Sequence, residues 1–171
     1  MTVLEQMGKN AKSAERVLAS AGALKNKALL SMADAIEKNA EEIISANKKD
    51  LKSAKESGMS ESLLDRLTLN SERIKGMAEG IRSVAAQSDP IGKIIGGEVR
   101  PNGLKIERVR VPLGVIGIIY EARPNVTSDA AALCLKSGNA VILRGGKEAI
   151  NSNKCTADIM RNAVSAVGLP K

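Results

Sequence analysis

The chain has 171 residues, with one Tyr and no Phe, Trp or His. The lack of His excludes Ser–His and Cys–His nucleophile pairs and His-ligated zinc. The near absence of aromatic side chains leaves no platform on which nucleic-acid bases would stack. The net charge is +7, and the excess of Lys and Arg lies after residue 90, which indicates an anionic ligand or partner. These cations form no dense run, so nucleic acid is the weaker alternative.

The two cysteines indicate a reduced, cytoplasmic protein. Cys134 and Cys155 both fall in helix-like segments and are expected to be inert thiols, without a disulfide and without a metal. The first residues lack the apolar core of a signal peptide. The longest apolar run, at 111–120, is interrupted by Pro and Gly and is too short to span a bilayer. We therefore expect a soluble protein that does not contact membranes.

Residues 1–90 are predicted to form a helical amino-terminal segment. Apolar residues recur there at helical spacing. Gly22 is expected to separate a first helix from a second one that ends at Gly58, and Asn70 or Ser71 is expected to cap a later helix. The main alternative for the whole chain is a helical interaction module built on this segment.

The period of the apolar pattern changes to two in residues 91–111. Apolar and charged residues alternate on both sides of Asn102–Gly103, a dipeptide that favours positive φ in a tight turn. This pattern predicts an exposed β-hairpin arm.

Residues 112–171 are predicted to be the first half of an α/β domain. Two apolar runs, at 113–119 and 140–143, are each followed by a helical pattern. This order favours a βαβ unit with a parallel sheet whose strands are buried on both faces. Two strands do not complete such a sheet, so we expect the chain to be a truncated piece of a longer protein. The predicted class is α/β: amino-terminal helices, a β-hairpin arm and the start of a parallel Rossmann-like sheet.

The carboxyl ends of the two strands are the candidate ligand sites, because ligands of open α/β sheets bind there. The first end reads YEARPNVT at 120–127 and offers a carboxylate, a guanidinium, an amide and a hydroxyl. The alternative is that Asn125 or Thr127 only caps the next helix and that Arg123 is a surface charge. The second end reads RGGKE at 144–148, where paired glycines, helix N–H groups and two cations favour a phosphate. The alternative there is a flexible turn with solvated charges.

The motifs carry a family resemblance. The run VPLGVIGII at 111–119 resembles the strand that opens the cofactor domain of the aldehyde dehydrogenase superfamily. The runs at 120–129 and 135–149, together with NKKDL at 47–51, resemble the narrower gamma-glutamyl phosphate reductase family. The resemblance implies NADPH-dependent reduction of gamma-glutamyl phosphate in proline biosynthesis, through a cysteine thiolate. It also implies that this cysteine lies beyond residue 171, so we expect the chain alone to be inactive.

The resemblance also implies roles for residues at both strand ends. Four residues are implied to bind NADP(H): Arg144, Gly145, Gly146 and Lys147. Three are implied to bind the substrate: Glu121, Arg123 and Asn125. Asn125 is the one candidate for stabilising an oxyanion, although it is displaced from the register of the superfamily's usual Asn. Lys147 stands where the superfamily usually has a Glu for ribose. Finally, the resemblance implies a homodimer formed through the β-hairpin arm.

Overall fold

Helices make up most of the chain, and strands enter only after residue 90. The computed structural model describes residues 1–171. A single 3-10 turn, Lys147–Ala149, leads into the last helix. The remaining elements, in chain order, are α1 (Val3–Leu18), α2 (Leu24–Lys38), α3 (Ala40–Glu56), α4 (Glu61–Leu67), α5 (Ser71–Ala86), β1 (Ile94–Val99), β2 (Lys105–Val109), β3 (Val115–Ile119), α6 (Asn125–Lys136), β4 (Ala140–Arg144) and α7 (Ile150–Ala166).

One aliphatic core joins the helical segment to the α/β segment. Helix α2 lies at its centre and packs against α5 and α7. Leu29, Ile36 and Ile81 are completely buried in it, and Leu135 and Met160 contribute from α6 and α7. The predicted α/β class is confirmed. The division of the chain at residues 90 and 111 stays a prediction, and the shared core crosses both boundaries.

The prediction of a single helix between Gly22 and Gly58 is wrong. Helix α2 ends at Lys38, and α3 begins at Ala40. Between them Asn39 leaves helical geometry, and its side-chain amide donates a hydrogen bond of 2.7 Å to the Ala35 carbonyl. Asn side chains compete in this way with the backbone bonds that would continue a helix. The break allows α3 to pack against α7.

The next helix boundary has a side-chain cap. Of the two caps predicted for α5, Asn70 is the one observed, and its side-chain oxygen accepts a hydrogen bond of 2.8 Å from the backbone amide of Arg73. None of the seven helices has both the length and the apolar character that a membrane span requires.

The arm is an antiparallel hairpin of β1 and β2, as predicted. Its turn is closed by a bond of 2.8 Å from the amide of Gly103 to the carbonyl of Arg100. Only Gly103 takes positive φ, whereas Asn102 uses its side-chain oxygen to accept from the amide of Leu104 at 3.1 Å. Nearly every residue of the two strands is exposed.

Strands β3 and β4 are parallel and are connected by α6, as expected for a βαβ unit. The expected burial of the two strands on both faces is wrong. Residues of β3 alternate between exposed and half-buried, with Ile119 78% exposed, and in β4 only Ala140 is buried. Strand β3 is the more exposed of the two because α1 and α6 pack mainly over β4. The pairing nevertheless runs in register from Val115 with Ala140 to Ile119 with Arg144, so both strands end at the same edge.

Candidate functional site

The turns after β3 and β4 lie side by side. The backbone amide of Tyr120 continues the ladder by donating a hydrogen bond of 3.1 Å to the carbonyl of Arg144. Beyond this bond the first turn passes into α6 and the second into the 3-10 turn before α7. The two segments predicted as ligand sites are therefore brought together at one edge of the sheet.

The paired glycines allow this close contact between the two turns. A side-chain carbon on Gly145 would lie 2.9 Å from ring carbon Cζ of Tyr120 and would also overlap the amide of Asn153. One on Gly146 would lie 3.2 Å from the backbone nitrogen of Ala122. Larger residues would push the turns apart. The lack of side chains on these glycines therefore allows the two turns to pack closely against each other.

A chain of buried hydrogen bonds runs beneath the two turns. The hydroxyl of Thr127 donates to the side-chain oxygen of Asn153 at 3.0 Å, and its distance to the Tyr120 hydroxyl is 2.6 Å. A threonine hydroxyl has one proton, so Tyr120 is the donor of the second bond. The side-chain nitrogen of Asn153 is buried and has no partner. This series of hydrogen bonds links α6 to α7. The sequence analysis did not identify Asn153, because its contact spans 26 residues of sequence.

Neither residue suggested as a helix cap acts as one. Helix α6 has no side-chain cap. The Thr127 hydroxyl belongs to the buried series of hydrogen bonds just described, and the Asn125 amide donates to a carboxylate oxygen of Asp129 at 3.1 Å. The capping alternative for the first strand end is therefore wrong. Both side chains are committed to contacts that shape the site.

The first turn opens into a polar cleft of about 470 Å³ between the α4–α5 region and the start of α6. Arg123 and Asn125 line it, whereas Glu121 is exposed and lies outside the lining. The structure thus groups two of the three predicted substrate residues. The full lining is Asp65, Arg66, Thr68, Leu69, Arg73, Gly76, Met77, Arg123, Asn125 and Asp129.

The charges in the cleft are not all paired. Arg73 is engaged, because its guanidinium donates to the carbonyl of Thr68 at 2.8 Å and to the carboxylate of Asp65 at 2.8 Å. Arg66 and Arg123 are exposed and have no carboxylate within ion-pairing distance. Asp129 is half-buried without a cationic partner, and burial raises its pKa although the Asn125 amide opposes this effect.

The turn after β4 carries two exposed cations. Arg144 and Lys147 take part in no ion pair, which agrees with either an anion site or solvated charges. The first amides of α7 are already occupied. Asp50 accepts from the backbone nitrogens of Asn151 at 3.1 Å and of Ser152 at 2.7 Å. An anion at this turn would therefore meet the side-chain cations, and the backbone amides of Asn151 and Ser152 would not contribute to its binding.

Helix α3 has two buried polar residues, one of which holds the start of α7 and the other the segment beside the cleft. Asp50 is 2% exposed and also accepts from the Ser152 hydroxyl at 2.6 Å. Asn47, one helical turn earlier, donates to the carbonyl of Leu67 and accepts from the amide of Leu69, each at 2.8 Å. The run 47–51 was recognised only as a family motif. Its signal was available, since Asn and Asp three positions apart occupy a helix face where apolar residues are expected.

Neither cysteine is prepared for nucleophilic chemistry. Cys134 is buried and Cys155 is half-buried, and both are free thiols. Burial raises the pKa of both, and the negative charge of Glu42 raises that of Cys155 further. Because the thiolate is the reactive form, these environments favour the predicted inert role. No group of three acidic or cysteine side chains is placed to hold a metal ion.

Comparisons with known proteins agree along nearly the whole chain. No protein-family model matches it. It is 60% identical over 162 residues to the gamma-glutamyl phosphate reductase of Clostridium novyi, covering 94% of this chain and 39% of that protein. It is 53% identical over 169 residues to that of Syntrophomonas wolfei, covering 98% and 40%. The chain thus spans about two-fifths of the length of the curated relatives that it matches.

Solved structures show the same relationship. The gamma-glutamyl phosphate reductase of Thermotoga maritima superposes with a TM-score of 0.97 at 44% identity, covering 99% of this chain and 41% of that one. The yeast enzyme gives 0.91 at 38%, covering 97% and 42%. An acetylating aldehyde dehydrogenase from Geobacillus thermoglucosidasius gives 0.64 at 20%, covering 98% and 34%, which shows the shared fold. The resemblance inferred from the strand-end motifs is confirmed.

Proposed function

Because the chain is homologous, along nearly its whole length, to the amino-terminal part of gamma-glutamyl phosphate reductases, we propose that it is the amino-terminal part of such an enzyme. The reaction is the reduction of gamma-glutamyl phosphate to glutamate-5-semialdehyde and phosphate, in proline biosynthesis. We assign the thiolate nucleophile to the part of the relatives that this chain does not cover. The roles left to this chain are to hold the cofactor and to orient the substrate.

The cofactor is NADPH, which supplies the hydride when bound. The observation that carries this assignment is the pair of exposed, unpaired cations Arg144 and Lys147 at the carboxyl end of β4. The 2′-phosphate that distinguishes NADPH from NADH is an anion that a guanidinium fork and an ammonium group bind well. With the backbone amides of Asn151 and Ser152 occupied by Asp50, Arg144 and Lys147 are the charged donors that the turn offers.

The experiment is Lys147→Glu in a full-length reductase that contains this chain. One charge-assisted contact contributes about 1.5–3 kcal/mol, roughly ten- to a hundred-fold in affinity. The Michaelis constant for NADPH should rise by that factor, with a much smaller change for NADH. Lys154→Glu, an exposed lysine on α7, is the matched control and should change neither constant. Equal changes for both cofactors with Lys147→Glu would mean that Lys147 is a solvated charge.

The turn after β3 orients the substrate. Arg123 and Asn125 line the cleft, and Glu121 lies beside the glycine turn, where the backbone carbon of Glu121 would be 3.4 Å from a side chain on Gly146. Asn125 uses one amide N–H to reach Asp129, so the other can donate to an oxyanion. If it does, Asn125→Ala should lower kcat by about a hundred- to a thousand-fold with little change in cofactor affinity. A kcat within a few-fold of the parent would remove Asn125 from the mechanism.

The arm forms a homodimer, and the cytoplasm is the compartment. The exposed apolar residues of the arm include Ile94, Val99 and Val109, and its outer strand edges have no partner in this chain. Such edges pair with other chains unless they are protected. Deleting residues 98–110 should halve the mass seen by light scattering, and an unchanged mass would count against the arm. Two free thiols suit a reducing compartment.

A further inference from the structure

The cleft beside the first turn has unpaired charges of both signs. On the basic side, Arg66 on α4 and Arg123 at the end of β3 have no carboxylate partner. On the acidic side, Asp129 on the first turns of α6 is half-buried and has no cation. These three side chains come from separate elements and line one open volume of about 470 Å³.

Asp129 lacks the compensation that two other carboxylates have. Asp50, which is more deeply buried, accepts four hydrogen bonds from Asn151 and Ser152, and Asp89 lies 2.8 Å from the ammonium of Lys25. The side chains that stabilise the charged form of Asp129 are both neutral, the Asn125 amide at 3.1 Å and the Ser128 hydroxyl. A carboxylate removed from water without a cation carries a desolvation cost, and its pKa is raised accordingly. A ligand that brought a positive group would offset that cost.

We propose that this cleft binds the α-amino acid head of the substrate, with the ammonium group at Asp129 and the α-carboxylate at Arg123 and Arg66. The proposal rests on the proposed function and names the part of the substrate that each charge recognises. Arg73 is left out because its guanidinium already donates to the Thr68 carbonyl and pairs with the carboxylate of Asp65. The ligand class is an L-α-amino acid with an extended acyl side chain, whose far end is left for Asn125 and the sheet edge.

The recognition explains why the cleft needs both signs of charge. An arginine by itself would bind a dicarboxylate or a phosphate as well as an amino acid. A carboxylate placed among arginines repels such anions and attracts a ligand that presents an ammonium group next to its carboxylate. Asp129 is therefore the specificity-determining residue, and Arg123 supplies the anchoring charge.

The test is a titration of the 171-residue chain, followed by amide chemical shifts in two-dimensional NMR. The probes are L-glutamate, glutarate, which lacks the ammonium group, 4-aminobutyrate, which lacks the α-carboxylate, and inorganic phosphate. L-Glutamate should change the chemical shifts of the amides that line the cleft. It should bind about tenfold or more tightly than the other three probes, because each of them lacks at least one charge-assisted contact that glutamate makes.

Two variants assign the charges. Asp129→Asn keeps the shape and should remove the preference for glutamate over glutarate, while Asp129→Ser serves the same purpose if the first variant does not fold. Arg123→Gln should remove the preference over 4-aminobutyrate. Asp158→Asn, an exposed carboxylate on α7, is the matched control and should leave every preference unchanged.

Three results would overturn the proposal: no shift in the cleft with L-glutamate, equal binding of glutarate or phosphate, or an unchanged preference in Asp129→Asn. Equal binding of phosphate would identify a simple anion site. The outcome is separate from the cofactor assignment. If the cleft prefers glutamate but Lys147→Glu leaves both Michaelis constants unchanged, the amino-acid site stands and the assignment of NADPH binding to the turn after β4 is refuted.

Discussion

The carboxylate of Asp50 is expected to contribute strongly to stability, and Asp50→Asn is the sharpest test of how α3 holds α7. The carboxylate accepts four hydrogen bonds, two from backbone nitrogens and two from side chains of Asn151 and Ser152. An Asn side chain has one oxygen and one NH₂ group. Whichever way it is placed, one backbone N–H at the start of α7 faces an N–H group and loses its acceptor.

The magnitude follows from these contacts. Losing a charge-assisted bond and leaving a buried N–H unsatisfied costs about 1–3 kcal/mol. Removing a negative charge from the amino terminus of a helix adds about 0.3–1 kcal/mol, and up to about 2 where the charge is partly buried. We therefore expect Asp50→Asn to lower the free energy of unfolding by about 2–4 kcal/mol, a large part of the roughly 5–15 kcal/mol of a typical domain.

Urea unfolding followed by circular dichroism measures this loss. With a slope of about 2 kcal/mol per molar urea, the midpoint should fall by about 1–2 M. The control is Asp158→Asn on the same helix, whose exposed carboxylate pairs with Arg161 at 3.1 Å and should contribute less than about 1 kcal/mol. If the two substitutions lowered stability equally, the carboxylate of Asp50 would not be what holds α7, and the reasoning would be refuted.

Three further predictions concern other buried contacts. Burial alone would raise the pKa of Asp89, but hydrogen bonding, led by Lys25, outweighs burial and leaves the pKa below its ordinary value of about 3.9. The free energy of unfolding should therefore fall as the pH falls through the lowered pKa, and Lys25→Met should make this acid-induced loss smaller. Gly145→Ala should lower the free energy of unfolding by about 1–3 kcal/mol, because the new methyl group overlaps its neighbours. In a Cys155→Ser background, Cys134 should react with a thiol reagent at neutral pH far more slowly in the native chain than in urea, since burial raises its pKa.

Each of these has an outcome that contradicts it. An acid limb that is the same with and without Lys25 would mean that the ion pair has no effect on folding. A Gly145→Ala variant as stable as the parent would show that the two turns can separate freely. A native thiol that reacts as fast as the unfolded one would place Cys134 at the surface.

Local signals in the sequence were enough for most of the elements. The aliphatic pattern at helical spacing predicts the helices because each turn places its own apolar side chains on one face. The cap at Asn70 and the turn at Gly103 depend on a few neighbouring residues, and they were found where expected. The strand-end motifs also identified the family, since they combine unusual residue types at fixed spacing.

The site itself was decided by contacts between distant parts of the chain. Asp50 reaches α7 across about a hundred residues, and the cleft joins Arg66 to Asp129 from separate helices. Sequence spacing predicts which face of an element a residue occupies, but it does not predict which other element will cover that face. The same limit applies to Gly145, for which the resemblance implies a cofactor contact. That the Tyr120 ring lies beside this glycine is visible only in the packed fold, because no local pattern shows which atoms fill the space beside a glycine.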